Sequence, residues 1–236
     1  MSKYVPERSV GAIYDNAPAD NPFLAAMPEM LSQDDFTVQI KSFLKLPVNL
    51  PAMTTIERRQ TLPLLSSIFV PLDYMYALYD QIYRAIRSTY STRTMLEEVR
   101  QTNALFCGDT LNDYSTQAAT GSILGVPAVG KTSTIRRALG LLPQVIEHVE
   151  YMGKPFFCKH VLYLTVECPS DCSVKSLALN LVSALDRAIG SSYLHQLTAL
   201  RSVAASAVAA QVKILCLTHH VGLILIDEIQ NAVVTA

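Results

Sequence analysis

The chain has little of what marks a membrane-spanning or secreted protein. No stretch reaches the roughly 18–20 uninterrupted apolar residues that a membrane span needs. The richest apolar segment, 203–217, is interrupted by polar side chains and is typical of a buried helix. The first residues lack the long apolar run of a signal peptide. We therefore expect a cytoplasmic chain without membrane contact.

Charged residues are also scarce. They make up 17% of the chain, and the formal net charge is −1. This balance argues against a surface that coats nucleic acid along its whole extent, although it leaves room for a basic patch on one face. Hydrophobic residues make up 50% of the sequence, which is enough to fill a sizeable core and excludes a disordered chain.

The five cysteines are odd in number and widely scattered, so they do not indicate a disulfide framework. Cys168 and Cys172 lie four residues apart, and Cys158 precedes His160 by two. Zinc ligation is the alternative that these spacings raise, but they match no compact set of zinc ligands. We expect ordinary core or loop thiols.

The first 70 residues are rich in proline and have no sustained periodicity. Seven of the twelve prolines lie among them and an eighth, Pro71, follows directly; prolines break helices into short pieces. The pattern predicts an irregular arm draped on a surface. Short helices are predicted at 33–44, with Ser32 as N-cap, and at 55–65, where Pro63 interrupts the helix.

A longer helix is predicted over 72–88, where apolar and tyrosine side chains recur at steps of three and four residues. Four tyrosines in this stretch are compatible with base stacking, but tyrosines at helical spacing usually pack a core. Arg84, Arg87 and Arg93 favour a solvated basic face over a ligand contact. A second helix is predicted at 94–104.

A glycine-rich stretch fits the phosphate-binding pattern G-x-x-x-x-G-K-[ST] at every constrained position. Glycines let the backbone curl so that successive N–H groups converge on phosphate oxygens, and the helix that follows directs its N-terminus at the same anion. Lys131 supplies a positive charge to the β- and γ-phosphates and serves as a catalytic residue, and Thr132 offers a hydroxyl to Mg²⁺. The predicted nucleotide-binding residues are Gly125, Val126, Pro127, Ala128, Val129, Gly130, Lys131, Thr132 and Ser133.

The surrounding pattern supports this motif, because strands alternate with helices. A strand at 122–125 leads into the loop and a helix at 131–142 follows it. The further predicted elements are a hairpin at 145–151 and 156–166 with its core strand at 160–166, helices at 174–189 and 194–219, and a last strand at 221–226. This order predicts an α/β P-loop fold with a parallel sheet flanked by helices. The predicted divisions are an arm at 1–70, a helical segment at 71–107 and a partial P-loop domain at 108–236.

The last apolar strand ends in two carboxylates, Asp227 and Glu228, as a Walker B element does. The carboxyl ends of parallel strands meet at the sheet edge where the phosphate loop also lies. We expect Asp227 to bind Mg²⁺, and Glu228 to act as the catalytic base that orients and deprotonates water. Together with the loop, this pair predicts an ATP–Mg²⁺ site.

Other polar residues near these motifs are weaker candidates. His219 and His220 end a helix, where positive charge is favourable, and a catalytic role for them is remote. Glu167 follows a strand and either faces the nucleotide or caps a loop. Arg136 and Arg137 lie more than one helical turn past the loop and are expected to face solvent or DNA.

Beyond these motifs, the chain resembles the TnsC family of transposon-encoded AAA+ ATPases, relatives of the TniB transposition proteins. The glycine-lysine-proline hairpin at 153–155 is part of the likeness. The main resemblance lies in 21–28 (NPFLAAMP), in 82–93 with Tyr90-x-x-Arg93, in 122–135 with the following 143–146, and in 223–231 (LILIDEIQN).

The resemblance implies an AAA+ fold and an ATP-dependent regulator of DNA transposition. Such proteins hydrolyse ATP, assemble as homo-oligomers on DNA, communicate with a target-selecting protein and activate the transposase. It also implies sensor residues, an arginine finger and a helical lid beyond Glu228. Because the sequence ends at Ala236, we expect a fragment or truncated product that binds ATP but is impaired in hydrolysis.

Two other functions remain open at this stage. One is a nucleotide-gated interaction module that binds ATP and changes partners with little or no turnover. The other is a different P-loop enzyme, such as a small-molecule kinase. Glu228 directly after Asp227 favours water as the acceptor over a small molecule.

Overall fold

A computed structural model describes residues 9–14, 21–43, 49–91, 120–126, 129–171, 173–199 and 204–232. The strands are β1 Ser9–Gly11, β2 Val145–Tyr151, β3 Lys154–Val161, β4 Tyr163–Glu167 and β5 Leu223–Asp227. The α-helices are α1 Pro22–Ala25, α2 Gln33–Ile40, α3 Thr55–Thr61, α4 Asp73–Ser91, α5 Lys131–Leu139, α6 Val174–Ile189, α7 Tyr193–Ala199 and α8 Ala205–Thr218. Short 3₁₀ segments lie at Leu50–Ala52, Leu62–Ser67 and Ile229–Ala232. Among the helices described, none combines the length and apolar character needed to cross a membrane.

The five strands form two sheets within the described residues. In one, β4 pairs with β5 in parallel, and Glu167 lies opposite Asp227 at their carboxyl ends. In the other, β2 pairs with β3 as the predicted antiparallel hairpin, while β1 joins β2 in parallel. Met152 and Gly153 both have positive φ angles of 49° and 74°, the conformation that a tight two-residue hairpin turn requires.

Helices cover both faces of the β4–β5 sheet. Leu164 and Val166 of β4 are buried in a cluster with residues of α6 and α8. On the other face, Leu223 and Leu225 of β5 pack against a second cluster, built mainly from α4 and α5. The predicted arrangement of parallel strands flanked by helices is therefore confirmed for this sheet.

Part of the proline-rich arm is buried in the core, so the expectation of an arm that lies only on the surface is wrong. Phe23, Phe36 and Ile40 from α1 and α2 are buried in the same cluster as Ile135 and Leu139 of α5. Very short helices bury one or two large side chains each, so they leave no periodic signal in the sequence.

Helix α4 holds this arm through its tyrosines. Their predicted core role is confirmed for Tyr79 and Tyr83, whereas Tyr74, at the start of the helix, is exposed. Tyr79 and Tyr83 are buried. The Tyr83 hydroxyl donates to the Pro28 carbonyl oxygen at 2.8 Å, and the Tyr79 hydroxyl accepts from the Leu31 amide at 3.2 Å. Their rings fill the core while their hydroxyls satisfy backbone groups of the arm.

Other predicted elements differ in extent. Residues 120–126 form no strand, since none of the described strands pairs with them and a lone extended segment gains no ladder hydrogen bonds. The predicted strand at 160–166 is divided at Leu162, where the chain passes from one sheet to the other. Helix α2 ends at Ile40 because Lys41 is extended and Ser42 pairs with Phe69.

The remaining helix predictions vary in outcome. The helix at 174–189 is confirmed at both ends, with Ser173 as N-cap and Gly190 in the left-handed conformation after it. The predicted helix at 194–219 is two helices, α7 and α8. The predicted helix at 131–142 is α5, which ends three residues earlier than predicted. The predicted helix at 94–104 lies outside the described residues.

Candidate nucleotide-binding site

The candidate site lies where β4 and β5 end and α5 begins. The Cys168 amide donates to the Asp227 carbonyl oxygen at 2.9 Å, so the two strands stay paired up to their last residues. Parallel strands place their carboxyl ends at one edge of the sheet, where ligands of α/β proteins bind. Both Asp227 and the N-terminus of α5 are at this edge.

The end of the phosphate loop has the conformation that the motif predicts. Gly130 has a φ angle of 90° and precedes the first residue of α5. The buried Thr134 donates to the Gly130 carbonyl oxygen through both its amide and its hydroxyl, each at 2.9 Å. These bonds hold the first turn of α5 directly behind the loop. Pro127 and Ala128 lie outside the described residues.

Lys131 folds its side chain back over the loop. Its Nζ donates to the carbonyl oxygens of Gly125 at 2.7 Å and Val126 at 2.9 Å. The ammonium group is thus held within the loop by two weak acceptors, which phosphate oxygens can replace with stronger, charged hydrogen bonds. Ser133 follows in α5 and is exposed.

Thr132 and Asp227 are brought together although 95 residues separate them in the chain. Their side-chain oxygens, Oγ1 and Oδ1, lie 3.5 Å apart. Two oxygens that each lie at about 2.0–2.1 Å from one Mg²⁺ are at most about 4.2 Å apart. The separation and the hard oxygen donors therefore fit a shared magnesium ion.

Glu228 stands in an unusual backbone conformation beside this pair. Its φ angle is 57°, in the left-handed region that few residues other than glycine adopt. Its amide donates to the Asp227 carboxylate at 3.0 Å, and its own carboxylate accepts a hydrogen bond from the Gln230 side chain. The turn leaves the Glu228 carboxylate exposed at the sheet edge.

The weaker candidates have separate roles. Arg136 lies 3.8 Å from the carboxylate of Glu167, and both side chains are exposed beside the site. Arg137 was expected to face solvent or DNA, and this expectation is wrong. Its guanidinium donates to the Ile40 carbonyl oxygen at 3.1 Å and lies 4.1 Å from the centre of the Phe69 ring. Burial lowers the Arg137 pKa.

The two histidines before β5 make packing and hydrogen-bond contacts within the fold. The His219 ring lies 3.0 Å from the Tyr193 hydroxyl, and its carbonyl oxygen accepts from the Val161 amide at 3.0 Å. Burial lowers the His219 pKa. His220 is buried and its ring lies 4.4 Å from that of Phe23. Neither arrangement directs an imidazole at the candidate site.

Of the cysteines that raised the zinc alternative, two lie within the described residues, and one of them, Cys168, adjoins the site through its backbone bond to Asp227. Cys158 is partly buried in β3, whereas Cys168 is buried just after β4. In the part of the chain that the structure describes, no group of three or more histidine, cysteine, aspartate or glutamate side chains is placed to hold a metal ion. Cys172 lies outside that part.

One contact to the loop was missed by the sequence reasoning. The Tyr74 hydroxyl, from the start of α4, donates to the Val129 carbonyl oxygen at 2.8 Å. No local signal connects these residues, because 55 positions separate them. Only the packing of α4 against α5 brings them together.

Comparison with known families agrees with this geometry. Residues 114–235, just over half of the chain, match the AAA domain family. This segment contains the glycine-rich loop, Thr132 and the Asp227–Glu228 pair. A search of curated proteins gave no match. The chain therefore belongs to the AAA domain family and carries a nucleotide-binding domain of the P-loop type.

Proposed function

We propose that the protein binds ATP together with Mg²⁺ and acts as an ATP-dependent regulator of DNA transposition. The observation that carries the nucleotide part is the approach of Thr132 to Asp227 within 3.5 Å. A hydroxyl from the end of the phosphate-binding motif and a carboxylate from a strand end thus lie together at a partly buried sheet edge. Such a pair of oxygen donors is what a cation that contacts both protein and phosphate requires.

The loop residues bind the phosphates in this proposal. Lys131 exchanges the carbonyl oxygens of Gly125 and Val126 for oxygens of the β- and γ-phosphates. Backbone N–H groups of the loop and the first turn of α5 donate to the same phosphates. Thr132 and Asp227 hold Mg²⁺, which neutralises charge that develops on the transferred phosphoryl group.

Glu228 orients the attacking water and accepts its proton at the carboxylate. Its position one residue after Asp227 keeps it next to the metal site, and the left-handed turn brings its side chain out of the strand direction. Backbone strain of this kind often occurs at functional positions, which supports the assignment.

The transposition part rests on the resemblance to TnsC-like ATPases in segments 21–28, 82–93 and 223–231. On that basis the partners are DNA, a transposase, a target-selecting protein and further copies of this chain. Membership of the AAA domain family is consistent with that role.

A second candidate is a nucleotide-gated interaction module with little turnover. The observation that favours it is the hydrogen bond from Gln230 to the Glu228 carboxylate, because a carboxylate held in this way is less available to a water molecule. Under this alternative ATP binding persists while hydrolysis is absent in the unmodified chain.

The first test separates binding from turnover. Lys131→Ala should weaken ATP binding by roughly 10- to 100-fold, since charged hydrogen bonds contribute about 1.5–3 kcal/mol. Glu228→Gln should leave ATP affinity unchanged and lower hydrolysis by roughly 10²–10⁴-fold, the usual contribution of a general base. Titration with a fluorescent ATP analogue and phosphate release measure the two quantities.

The exposed variants Lys154→Ala and Glu150→Gln are the matched controls, and both should behave as the unmodified chain. Equal ATP affinity for Lys131→Ala and the unmodified chain would refute the site. ATP binding without phosphate release would favour the interaction module, and ADP formation without phosphate release, seen only with an added small-molecule acceptor, would favour a kinase. Duplex DNA binding that is the same with ATP, ADP or no nucleotide would contradict the transposition role.

A further inference from the structure

Tyr74 connects the segment before the AAA-matched region to the phosphate loop. It lies in the first turn of α4, and its ring is partly exposed. Its hydroxyl donates to the Val129 carbonyl oxygen at 2.8 Å, within the range of a strong O–H···O bond. A Cβ atom placed on Gly130 would lie 3.7 Å from the same hydroxyl. Tyr74 therefore bonds to Val129 and also lies next to Gly130.

This bond sets the orientation of one peptide plane in the loop. In a trans peptide the C=O and the following N–H point in opposite directions. When Tyr74 holds the Val129 carbonyl towards α4, the Gly130 N–H is therefore turned away from α4. Gly130 has a φ angle of 90°, and the absence of a Cβ makes rotation of this peptide easy for an unrestrained loop.

The rest of α4 makes Tyr74 a rigid anchor. Met75, Leu78 and Tyr79, the next residues along the helix towards the core, are buried. The Leu72 amide donates to the Met75 sulfur at 3.4 Å, and this hydrogen bond helps to cap the N-terminus of α4. A hydroxyl carried on a packed helix loses little freedom when it binds the loop, so the bond restrains the loop and not the helix.

We propose that Tyr74 is a positioning residue for nucleotide, which holds the 129–130 peptide so that the Gly130 N–H is available to a phosphate oxygen before nucleotide arrives. The inference rests on the proposed function, since it assigns a role in ATP binding. It adds a determinant outside the phosphate-loop motif and outside the AAA-matched residues 114–235. Because ATP and ADP share the phosphates nearest the loop, the loss of this bond weakens both.

The test is Tyr74→Phe, which removes the hydroxyl and keeps the ring. Affinities for ATP–Mg²⁺ and ADP–Mg²⁺ should each fall about three- to tenfold, the equivalent of one hydrogen bond. In steady-state hydrolysis KM should rise while kcat stays within about twofold, because the bond acts on binding and not on Glu228. The melting temperature without nucleotide should stay close to that of the unmodified chain.

Tyr83→Phe is the matched control on the same helix. It removes a hydroxyl that also donates to a backbone carbonyl at 2.8 Å, that of Pro28, away from the loop. It should lower the melting temperature and leave both nucleotide affinities unchanged. A merely structural role for Tyr74 predicts the same pattern for both variants.

The outcomes distinguish this inference from the proposed function. If the unmodified chain binds neither nucleotide, the proposed function fails and the inference fails with it. If the unmodified chain binds ATP, Lys131→Ala binds it more weakly, and Tyr74→Phe binds as the unmodified chain does, only the inference is overturned. Reduced affinity for Tyr74→Phe with normal affinity for Tyr83→Phe supports it.

Discussion

Gly222, just before β5, shows how a single missing side chain permits a long-range contact. The Tyr90 hydroxyl, from the end of α4, bonds with the carbonyl oxygens of His220 at 2.8 Å and Val161 at 3.1 Å. A Cβ atom at position 222 would overlap this hydroxyl and lie 2.8 Å from the Leu162 carbonyl oxygen. Glycine therefore lets α4 attach at the junction of the two sheets.

Gly222→Ala should destabilise the fold by about 1–3 kcal/mol, because the buried Tyr90 and a backbone carbonyl must both move. Urea unfolding measures the change. In the double variant with Tyr90→Phe part of the added cost should disappear, since the contact with the hydroxyl is removed while those with the ring carbon Cζ and the Leu162 carbonyl oxygen remain.

Gly11→Ala is the control for this prediction, because a Cβ atom there meets nothing within 4 Å. It should change the unfolding free energy by less than about 1 kcal/mol. An equal loss for Gly222→Ala and Gly11→Ala would contradict the account of the Tyr90 contact.

At the scale of elements, α3 is stabilised locally and not by burial. None of its residues is buried, and Ile56 is 71% exposed. Its N-terminus has a capping box, in which the Thr54 hydroxyl accepts from the Glu57 amide at 3.3 Å and the Glu57 carboxylate accepts from the Thr54 amide at 2.7 Å. The hydrogen bonds that the Thr54 amide and hydroxyl donate to the Glu57 carboxylate lower the pKa of Glu57.

Thr54→Ala should therefore loosen α3 without destabilising the molecule. A lost N-cap costs about 1 kcal/mol, which corresponds to roughly fivefold faster amide exchange over 55–61 by local opening. The global melting temperature should stay unchanged. Hydrogen exchange with mass spectrometry and calorimetry provide the two measurements.

Ser32→Ala is the matched cap removal on α2, which buries Phe36 and Ile40. Because that helix belongs to the core, its lost cap should lower the global unfolding free energy by about 1 kcal/mol. Global destabilisation by Thr54→Ala as large as that by Ser32→Ala would show that α3 is part of the cooperative unit.

For the molecule as a whole, buried histidines make stability depend on pH. The His148 ring is buried between the Tyr14 hydroxyl, 2.6 Å from Nδ1, and His160, whose Nδ1 lies 3.3 Å from His148 Nε2. Burial lowers the pKa of His148 from 6.5 to about 4. It also raises the pKa of Tyr14 to about 12, so both groups are neutral near pH 7.

The sign of the effect follows from proton binding. Below pH 6.5 the unfolded chain takes up a proton at His148, whereas the folded chain does so only near pH 4. Stability from this group is therefore complete above about pH 6.5 and falls as the pH drops towards 4, by about 2 kcal/mol between pH 7 and pH 5. Urea unfolding across this range measures the loss.

His148→Gln should flatten this pH profile, and His195→Gln, at an exposed position of α7, should leave it as in the unmodified chain. A profile that keeps its slope in His148→Gln would assign the pH dependence to other groups. His219, whose pKa burial also lowers, adds to the slope in the same direction.

Much of the candidate site could be predicted from the sequence because its chemistry is encoded in contiguous residues. The spacing of Gly125, Gly130, Lys131 and Thr132 sets the loop, and an aliphatic run followed by Asp227 sets the strand end. The same holds for α4, whose three- and four-residue steps match the buried face found in the structure. The predicted strand at 122–125 failed because a strand needs a partner, which a local pattern cannot supply.

By itself the sequence determined the phosphate loop, the paired carboxylates and the amphipathic helices, because each follows from local spacing and backbone preference. Only the tertiary structure decided that the arm enters the core through Phe23 and that Arg137 turns inward to Ile40. It alone placed the Tyr74 hydroxyl on the phosphate loop. These contacts join residues far apart in the chain, and their formation depends on how helices pack against the sheet.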